Sequence, residues 1–173
     1  MRIDLDPVER ITTDSIGPPG KRIFYLQGRK GEQLVTLLVE KEQVELLAAS
    51  VVSILAQVGK EVGEGQSEGS MELEDPLLPE WQAGRLSIGY EEDRDLFVLE
   101  VEEQLEEEEE DEEEERDAGV VRFWATGEQM LALARHGAAV VSRGRPRCGL
   151  CGNPIDPEGH VCPALNGHRQ RTD

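Results

Sequence analysis

The apolar and polar positions of the first forty residues follow the pattern of β-strands. An extended segment over residues 6–16 is followed by two stretches rich in β-branched and aromatic side chains, Arg22–Gln27 and Gln33–Val39. Such side chains favour a pleated surface, and the glycine-containing stretches 17–20 and 28–31 are typical of turns between strands. The pattern therefore predicts three strands.

The period changes at Lys41 from that of a strand to that of a helix. Apolar residues then recur at steps of three and four positions, which puts one apolar stripe on a helix that can cover a sheet. The residues of this stripe are Val44, Leu47, Val51, Leu55 and Val58. The helical pattern fades over the glycine-rich residues 59–69.

The second half of the chain shows the same order of elements. Two strands, Trp81–Tyr90 and Leu96–Val101, are predicted to pair as a hairpin, and a third strand, Gly119–Ala125, follows them. Thr126 and Gln129 have the spacing of a capping box, which predicts that a second helix begins here. The apolar side of this helix would consist of Met130, Leu133, Ala134, Gly137 and Val141.

An alignment within the chain indicates an internal repeat. Residues 121–130 match residues 35–44, and the Glu-Gln pair at 128–129 falls beneath the pair at 42–43. A sheet face and the apolar stripe of a helix bury each other, so each half can form a sheet-helix unit. The sequence therefore predicts an α+β fold, a mostly antiparallel sheet with two helices, arranged as two similar strand-strand-strand-helix lobes. The expected divisions are a two-lobed domain at residues 1–143, with lobes at 1–62 and 78–143 and a flexible linker at 63–77, and a tail at residues 144–173.

The acidic residues are unevenly placed along the chain. Glu106–Glu115 is a run of ten consecutive carboxylates, whose mutual repulsion predicts a disordered acidic loop over residues 103–117. The whole chain has 18 basic and 37 acidic residues and a formal net charge of −19. Such a charge opposes binding to nucleic acid and to anionic membranes.

The distribution of cysteines and apolar runs indicates the compartment. All three cysteines lie close to the C-terminus, and the N-terminal residues lack the apolar core of a secretion signal. No apolar run reaches the roughly 18 to 20 residues needed to cross a bilayer. We therefore expect a cytoplasmic protein without a membrane span.

The tail has the residues of a metal centre. Cys148 and Cys151 are separated by two residues, a spacing that supplies half of a tetrahedral zinc site. His160 and Cys162 follow a turn-forming stretch and can supply the other half, with His168 as the alternative fourth ligand. Four protein ligands leave no open position for water, so the expected cofactor is one structural Zn²⁺. A redox pair is the alternative, but proline and glycine surround the two cysteines instead of a helix N-terminus.

No catalytic motif stands out in the sequence. A Ser-His-Asp order, a phosphate-cradling loop and a dinucleotide fingerprint are not found. His136 is expected to be a surface or packing histidine of the second helix, because no carboxylate lies beside it in the sequence. The alternative is an enzyme, or a subunit of one, with a site in a groove between the lobes. Such a groove would be lined by Arg22, Tyr25, Trp81 or Tyr90.

These observations favour a non-enzymatic adaptor. The acidic body would contact another protein, and the zinc-stabilised tail would present a rigid recognition surface. Contact with nucleic acid through the tail, which contains several arginines, is a second alternative. The overall charge would confine such binding to the tail and make it steeply dependent on salt.

Three stretches resemble a known family: the strand Arg22–Gln27, the helix start Glu40–Val44 and the tail. The tail reads Gly-Arg-Pro-x-Cys148-x-Leu-Cys-Gly-x-Pro-x-Asp-Pro-x-Gly-His-x-Cys162-Pro. With these residues the chain is similar, over nearly its whole length, to a bacterial and mainly actinobacterial family, the domain of unknown function 3090. The resemblance implies a cytoplasmic protein of two similar α/β lobes with a zinc-ribbon-like tail. It also implies a gene beside that of a histidine-phosphatase-type protein, which is thereby a candidate partner. The acidic run departs from the family pattern and looks like a loop insertion.

Overall fold

The computed structural model describes residues 1–59, 71–105 and 117–143, and the backbone of two short strands in the tail. Eleven elements are assigned in chain order. They are β1 (Arg2–Leu5), β2 (Arg10–Ile16), β3 (Ile23–Lys30), β4 (Gln33–Val39), α1 (Lys41–Val58), β5 (Pro79–Glu91), β6 (Leu96–Glu103), β7 (Val120–Ala125), α2 (Gly127–Ser142), β8 (His160–Val161) and β9 (Arg169–Gln170).

Seven strands form one sheet in the order β1-β7-β6-β5-β4-β3-β2. Each half of the chain contributes an antiparallel meander, β2-β3-β4 followed by α1 and β5-β6-β7 followed by α2. The two meanders join through a parallel pair, β4 with β5, and β1 pairs in parallel with β7. The predicted α+β class, with a mostly antiparallel sheet and two helices, is confirmed. The division into two lobes stays a prediction, because one sheet runs through both halves.

The sheet closes on itself where β1 passes into β2. These strands lie at opposite ends of the sheet order but are consecutive in the chain. The Val8 amide donates to the Trp124 carbonyl of β7 over 2.8 Å, and the Glu9 amide donates to the Arg29 carbonyl of β3 over 2.8 Å. One continuous stretch of backbone therefore links the two edges, and the sheet curls into a ring without a long free edge.

Strand β5 joins the two meanders at the other side of the ring. Its first residues pair with β4, at Pro79 and Gln82, and its later residues pair with β6 after a shift of register between Ala83 and Leu86. Such an irregularity bends a strand and lets it change partners. The bend in β5 is thus equivalent to the bend between β1 and β2, because each lets one stretch of chain pair with two different strands.

The two helices begin with equivalent glutamines. Gln43 and Gln129 each accept, through Oε1, a hydrogen bond from the backbone amide three residues earlier, over 2.7 and 2.9 Å. Nε2 of Gln43 donates to the carbonyls of Ala83 and Gly84, over 3.0 and 2.8 Å. Nε2 of Gln129 donates to the carbonyls of Val8 and Glu9, over 3.1 and 3.4 Å. Each glutamine therefore caps its helix and fastens it to the bent first strand of the other half.

Among the described residues, the sheet and both helices contribute side chains to one apolar core. The predicted stripe of α1 is confirmed, since Val44, Leu47, Val51 and Leu55 are buried and Val58 is partly buried against the same core. The helix ends at Gly59, whose φ of 72° is the left-handed conformation common after a helix. In α2 the predicted capping box is confirmed, with the Gln129 amide donating to the Thr126 hydroxyl over 3.1 Å.

Two features of the first half differ from the prediction. The pattern missed β1, which is only four residues long and is held by its pairing with β7. The predicted turn at residues 28–31 begins too early, because Gly28 lies inside β3, opposite Ile11 and Val35. The chain reverses later, at Gly31, whose φ is 59°.

Part of the predicted linker lies against the sheet. Met71 is 2% exposed, and its carbonyl accepts a hydrogen bond from the buried Thr12 hydroxyl over 2.6 Å. The backbone of Glu74 bonds to the buried Gln27 side chain in both directions, over 2.7 and 3.0 Å. Residues 63–70 of the linker, most of the acidic loop and most of the tail lie outside the described residues.

Candidate functional site

A cleft of about 500 Å³ lies where α1 begins, beside the ends of β3 and β4. Its wall combines cations, carboxylates, two aromatic rings and an amide. The side chains with this chemistry are Arg22, Phe24, Tyr25, Glu40, Lys41, Glu42 and Gln82.

Arg22 is fixed in this cleft by the C-terminus of α2. Its guanidinium donates to the carbonyls of Val140 and Val141, over 2.6 and 3.1 Å, and lies 4.9 Å from the centre of the Phe24 ring. The last turn of α2 contains no basic residue of its own. Arg22 therefore supplies, from β3, the positive charge that a helix C-terminus favours.

Gln82 provides a second polar group in the cleft. Its Nε2 atom is buried and has no hydrogen-bond partner among the described residues. A buried amide without a partner is costly, so this group is suited to donate to a bound molecule or an ordered water. The cleft is therefore a candidate site for a small polar molecule, with Lys41 and Gln82 among the residues of its wall.

The fold brings a carboxylate to His136, which is 7% exposed. Its Nε2 atom lies 3.1 Å from Asp14 Oδ2, across the contact between α2 and β2. Its Nδ1 atom is buried without a partner among the described residues. His136 is thus a packing histidine, as expected, but the expectation of no neighbouring carboxylate holds only along the sequence. The pair is enclosed by packing and lines none of the clefts described here.

A groove runs along the exposed side of α1, next to β5. It comprises a cavity of about 160 Å³ and a wider depression of about 410 Å³, which share Leu46, Ser50 and Ile88. Leu46 is 67% exposed in this groove. Its other side chains are apolar or uncharged, among them Ile54, Leu86 and Gln57.

An ionic cluster fastens residues 71–74 to the sheet. Glu74 Oε2 lies 2.6 Å from an Arg10 nitrogen and 3.1 Å from Arg29 Nε, and a second nitrogen of Arg29 lies 2.6 Å from Glu9 Oε2. Burial alone would raise the pKa of Glu74, but the hydrogen bonds from the two arginines outweigh it and lower the pKa below its ordinary value of 4.5. The cluster is therefore structural and holds the chain leading into β5.

The predicted metal centre lies almost wholly outside the described residues. This applies to Cys148, Cys151, Cys162 and the alternative ligand His168. The backbone of His160 is described, and it pairs with Gln170 as β8 pairs with β9. Within the residues that the structure describes, no group of three or more His, Cys, Asp or Glu side chains could hold a metal ion.

The four residues expected to line a groove between the lobes separate into three places. Arg22 and Tyr25 share the cleft beside α1. Trp81 lies against Gly119, where an added Cβ would be 2.8 Å from the indole nitrogen. Tyr90 packs on Phe97, with ring centres 4.7 Å apart, and its hydroxyl donates to Asp95 over 2.9 Å.

Sequence reasoning missed Gln82 and the pairing of His136 with Asp14. Gln82 is one residue from the predicted Trp81, but no motif marks it, since its role depends on the switch of β5 from β4 to β6. His136 and Asp14 are 122 residues apart in the chain. No local signal connects them.

The described part of the chain is an α+β protein in which two meander-helix units share one closed sheet. The chain belongs to the family described as protein of unknown function (DUF3090), whose model matches residues 3–162. Searches of the curated proteins and of the solved structures gave no match. Neither described helix is of a length and hydropathy that would let it span a membrane.

Proposed function

We propose that this protein is a non-enzymatic, zinc-binding interaction protein of the cytoplasm. The observation that carries the proposal for the body is the uncharged groove along α1, with Leu46 two-thirds exposed in it. Exposed apolar surface of this kind marks sites where proteins bind one another. A helix-sheet groove also gives such a contact a preformed shape.

The proposed tail holds one structural zinc through Cys148, Cys151, Cys162 and a histidine. The spacing of the cysteines supports this ligand set. The antiparallel pairing of β8 with β9 supports a ribbon-like arrangement, because it brings residues 160–161 beside residues 169–170. His160 is the proposed fourth ligand, and His168 is the alternative. A metal would order a segment that has few apolar residues with which to build its own core.

We further propose that the two halves are structural repeats, the two lobes of the sequence prediction. Support comes from the matching hydrogen bonds of Gln43 and Gln129, which occupy equivalent positions in the alignment of the two halves. The parallel joins of β4 with β5 and of β7 with β1 support the same relation.

Metal analysis of the full-length protein tests the tail. Purified without affinity tags that bind metal, the protein is expected to contain one zinc per chain by elemental analysis. X-ray absorption at the zinc edge then distinguishes three sulfur ligands and one nitrogen from a site with fewer sulfurs. A metal-free protein that takes up no zinc at equimolar concentration would refute the tail proposal.

Capture from the native host tests the adaptor role. The wild-type chain and Leu46→Asp are used as baits, and Val52→Asp is the matched control because Val52 is 57% exposed on the opposite flank of α1. A partner is expected to be retained by the wild type and the control but lost from Leu46→Asp. The histidine-phosphatase-type neighbour suggested by the family resemblance is the first protein to look for. A set of retained proteins identical for all three baits would count against this role of the groove.

The cleft at Arg22 supports the enzyme alternative, because Gln82 is one of its lining residues and the Gln82 amide has no partner among the described residues. A thermal-shift screen against small polar molecules, comparing the wild type with Gln82→Leu, tests this alternative. A stabilising molecule whose effect disappears in Gln82→Leu would favour a ligand-binding or catalytic body. Equal responses of the two proteins would leave the adaptor function as the better account.

A further inference from the structure

We propose that the α1 groove binds an amphipathic helix of a partner protein, with an apolar stripe facing the groove and lysine or arginine residues on both flanks. This inference rests on the proposed interaction function and adds the chemistry of the partner. It is carried by three features: the shape of the groove, the contrast between α1 and α2, and the acidic net charge of the chain.

The groove has the dimensions of a helix-binding site. Its lining extends along α1 from Gln43 to Gln57, a distance of about 21 Å at 1.5 Å per residue. The deeper cavity of about 160 Å³ lies towards Gly84 and Leu99, and the wider depression of about 410 Å³ lies towards Gln57. A partner helix of about four turns can place one large apolar side chain in the cavity and further ones, three or four positions apart, along the depression.

In the second half of the chain, the surface of α2 that is equivalent to the α1 groove is covered. Counted from the equivalent glutamines, the groove positions Leu46, Ser50 and Ile54 correspond to Ala132, His136 and Val140 of α2. These three α2 residues are all buried, at 5%, 7% and 0% exposure. Helix α2 packs tightly on β2, where His136 reaches Asp14 and where a Cβ on Gly137 would be 3.2 Å from Thr13.

Helix α1 leaves the corresponding space against β5 open. Ser50 is a small residue where α2 has the large His136, and both Leu46 and Ser50 are exposed. The contact between α2 and β2 is therefore closely packed, whereas the equivalent contact between α1 and β5 leaves an open space. The difference identifies the α1 groove as the place where an external side chain can complete the packing.

The charge of the protein indicates which kind of partner can bind in the groove. No charged side chain is among the described residues that line the groove. In contrast, the chain as a whole has 37 acidic and 18 basic residues. A second copy of the chain, with its formal charge of −19, would bring like charges together at this surface. A partner with apolar contacts and basic flanks instead gains from both the groove and the negative net charge of the protein.

Defined peptides test the proposal without a known partner. The probe is a fluorescent 18-residue helix of leucine and lysine with the leucines on one face. One control peptide has the same composition in a scrambled order that removes the apolar face, and another replaces every lysine by glutamate. Binding to the full-length protein is measured by fluorescence anisotropy at several salt concentrations. The amphipathic basic peptide is expected to bind at least tenfold more tightly than either control.

Two substitutions locate the binding. Leu46→Asp places a charge in the groove and is expected to weaken binding of the basic amphipathic peptide at least tenfold. Val52→Asp adds the same charge to the same helix on its opposite flank and should leave the affinity within about twofold. Circular dichroism and denaturation of both variants establish that α1 is still formed.

Several outcomes would overturn the inference. Equal binding of the ordered and scrambled peptides would mean that charge alone attracts them. Equal loss of affinity in both variants would place the peptide elsewhere. A wild-type dimer in sedimentation that Leu46→Asp dissociates would make a second copy the occupant. If the peptides fail while native capture still yields a partner lost from Leu46→Asp, the proposed function stands and only the helical, basic chemistry is wrong.

Discussion

Gly28 of β3 lies directly against the ring of Phe123 of β7, across the interior of the closed sheet. A Cβ on Gly28 would be 2.6 Å from two ring carbons of Phe123 and 3.3 Å from a methyl carbon of Leu5. Phe123 and Leu5 are fully buried. The absence of a side chain at position 28 therefore gives the aromatic ring its place and lets the ring of strands close tightly.

Substitution of Gly28 by alanine is expected to destabilise the protein by about 1–3 kcal/mol, because a methyl group there overpacks the core. The free energy of unfolding from urea denaturation measures the effect. Gly89→Ala is the matched control, since a Cβ at this strand glycine would be 3.5 Å from Val98, an ordinary contact. The control should stay within about 0.5 kcal/mol of the wild type.

The double variant Gly28→Ala with Phe123→Leu tests the contact itself. Each substitution alone is expected to destabilise, the first by overpacking and the second by leaving a cavity. Together they should lower the free energy of unfolding by less than the sum of the two single effects, because the added methyl occupies space that the ring vacates. Strict additivity would show that the two positions do not share one space.

Removal of either capping glutamine should loosen the joint between the halves. Gln43→Ala and Gln129→Ala each lose the cap of a helix and two hydrogen bonds to the opposite first strand. We expect each to lower the free energy of unfolding by about 1–2 kcal/mol. Gln57→Ala, at an exposed position of α1, is the control. Markedly unequal effects of Gln43→Ala and Gln129→Ala would argue against equivalent roles.

Glu74→Gln is expected to reduce the dependence of stability on pH in acid. The folded-state pKa of Glu74 lies below its ordinary value of 4.5, so its ionised form stabilises the fold above that value. This contribution is lost as the pH falls through the lower folded pKa. The variant should therefore be less stable at pH 7, by about 1 kcal/mol, and approach the wild type below pH 4. Urea denaturation at several pH values measures this, and a constant difference at all pH values would be inconsistent with it.

Arg22→Met should weaken the C-terminal end of α2. The substitution keeps an apolar stem but removes the donors to the carbonyls of Val140 and Val141. The free energy of unfolding is expected to fall by about 1–2 kcal/mol. Arg22→Lys should lose less than Arg22→Met but still be less stable than the wild type, because an ammonium lacks the planar fork of donors. Hydrogen exchange should show faster opening of the last turn of α2. Arg85→Met, at an exposed position of β5, is the control.

The zinc proposal makes a prediction about folding. Cys148→Ala and Cys162→Ala should each release the metal while urea denaturation of the body stays within about 0.5 kcal/mol of the wild type. The physical reason is that the sheet and both helices of the body already share an apolar core, built among the described residues from Leu5 to Val141. Global unfolding of either variant would show that body and tail are not separate in stability.

The local patterns predicted most of the elements. Helix α1 follows from the apolar steps between Val44 and Leu55, and the start of α2 follows from Thr126 and Gln129. The strands of both meanders were found within a few residues of their ends. These signals are local, because the periods of strands and helices and the chemistry of caps involve residues only a few positions apart.

Contacts between distant residues could not be predicted in this way. The short β1 is stable only because Leu5 and its neighbours pair with β7, more than one hundred residues later. Glycine is common in turns, and only the close approach of Phe123 to Gly28 explains why this glycine lies inside a strand. The cleft at Gln82 and the pair of His136 with Asp14 depend in the same way on which strands the closed sheet makes neighbours.

By itself, the sequence determined the α+β class, the two series of three strands and a helix, the acidic character and the spacing of the candidate zinc ligands. Only the tertiary structure decided that one sheet joins the two halves, that α2 is sealed on β2 and that α1 leaves a groove beside β5. The physical reason is that periodicity records which face of an element is apolar, whereas closure and grooves depend on the sizes of side chains that meet from distant parts of the chain.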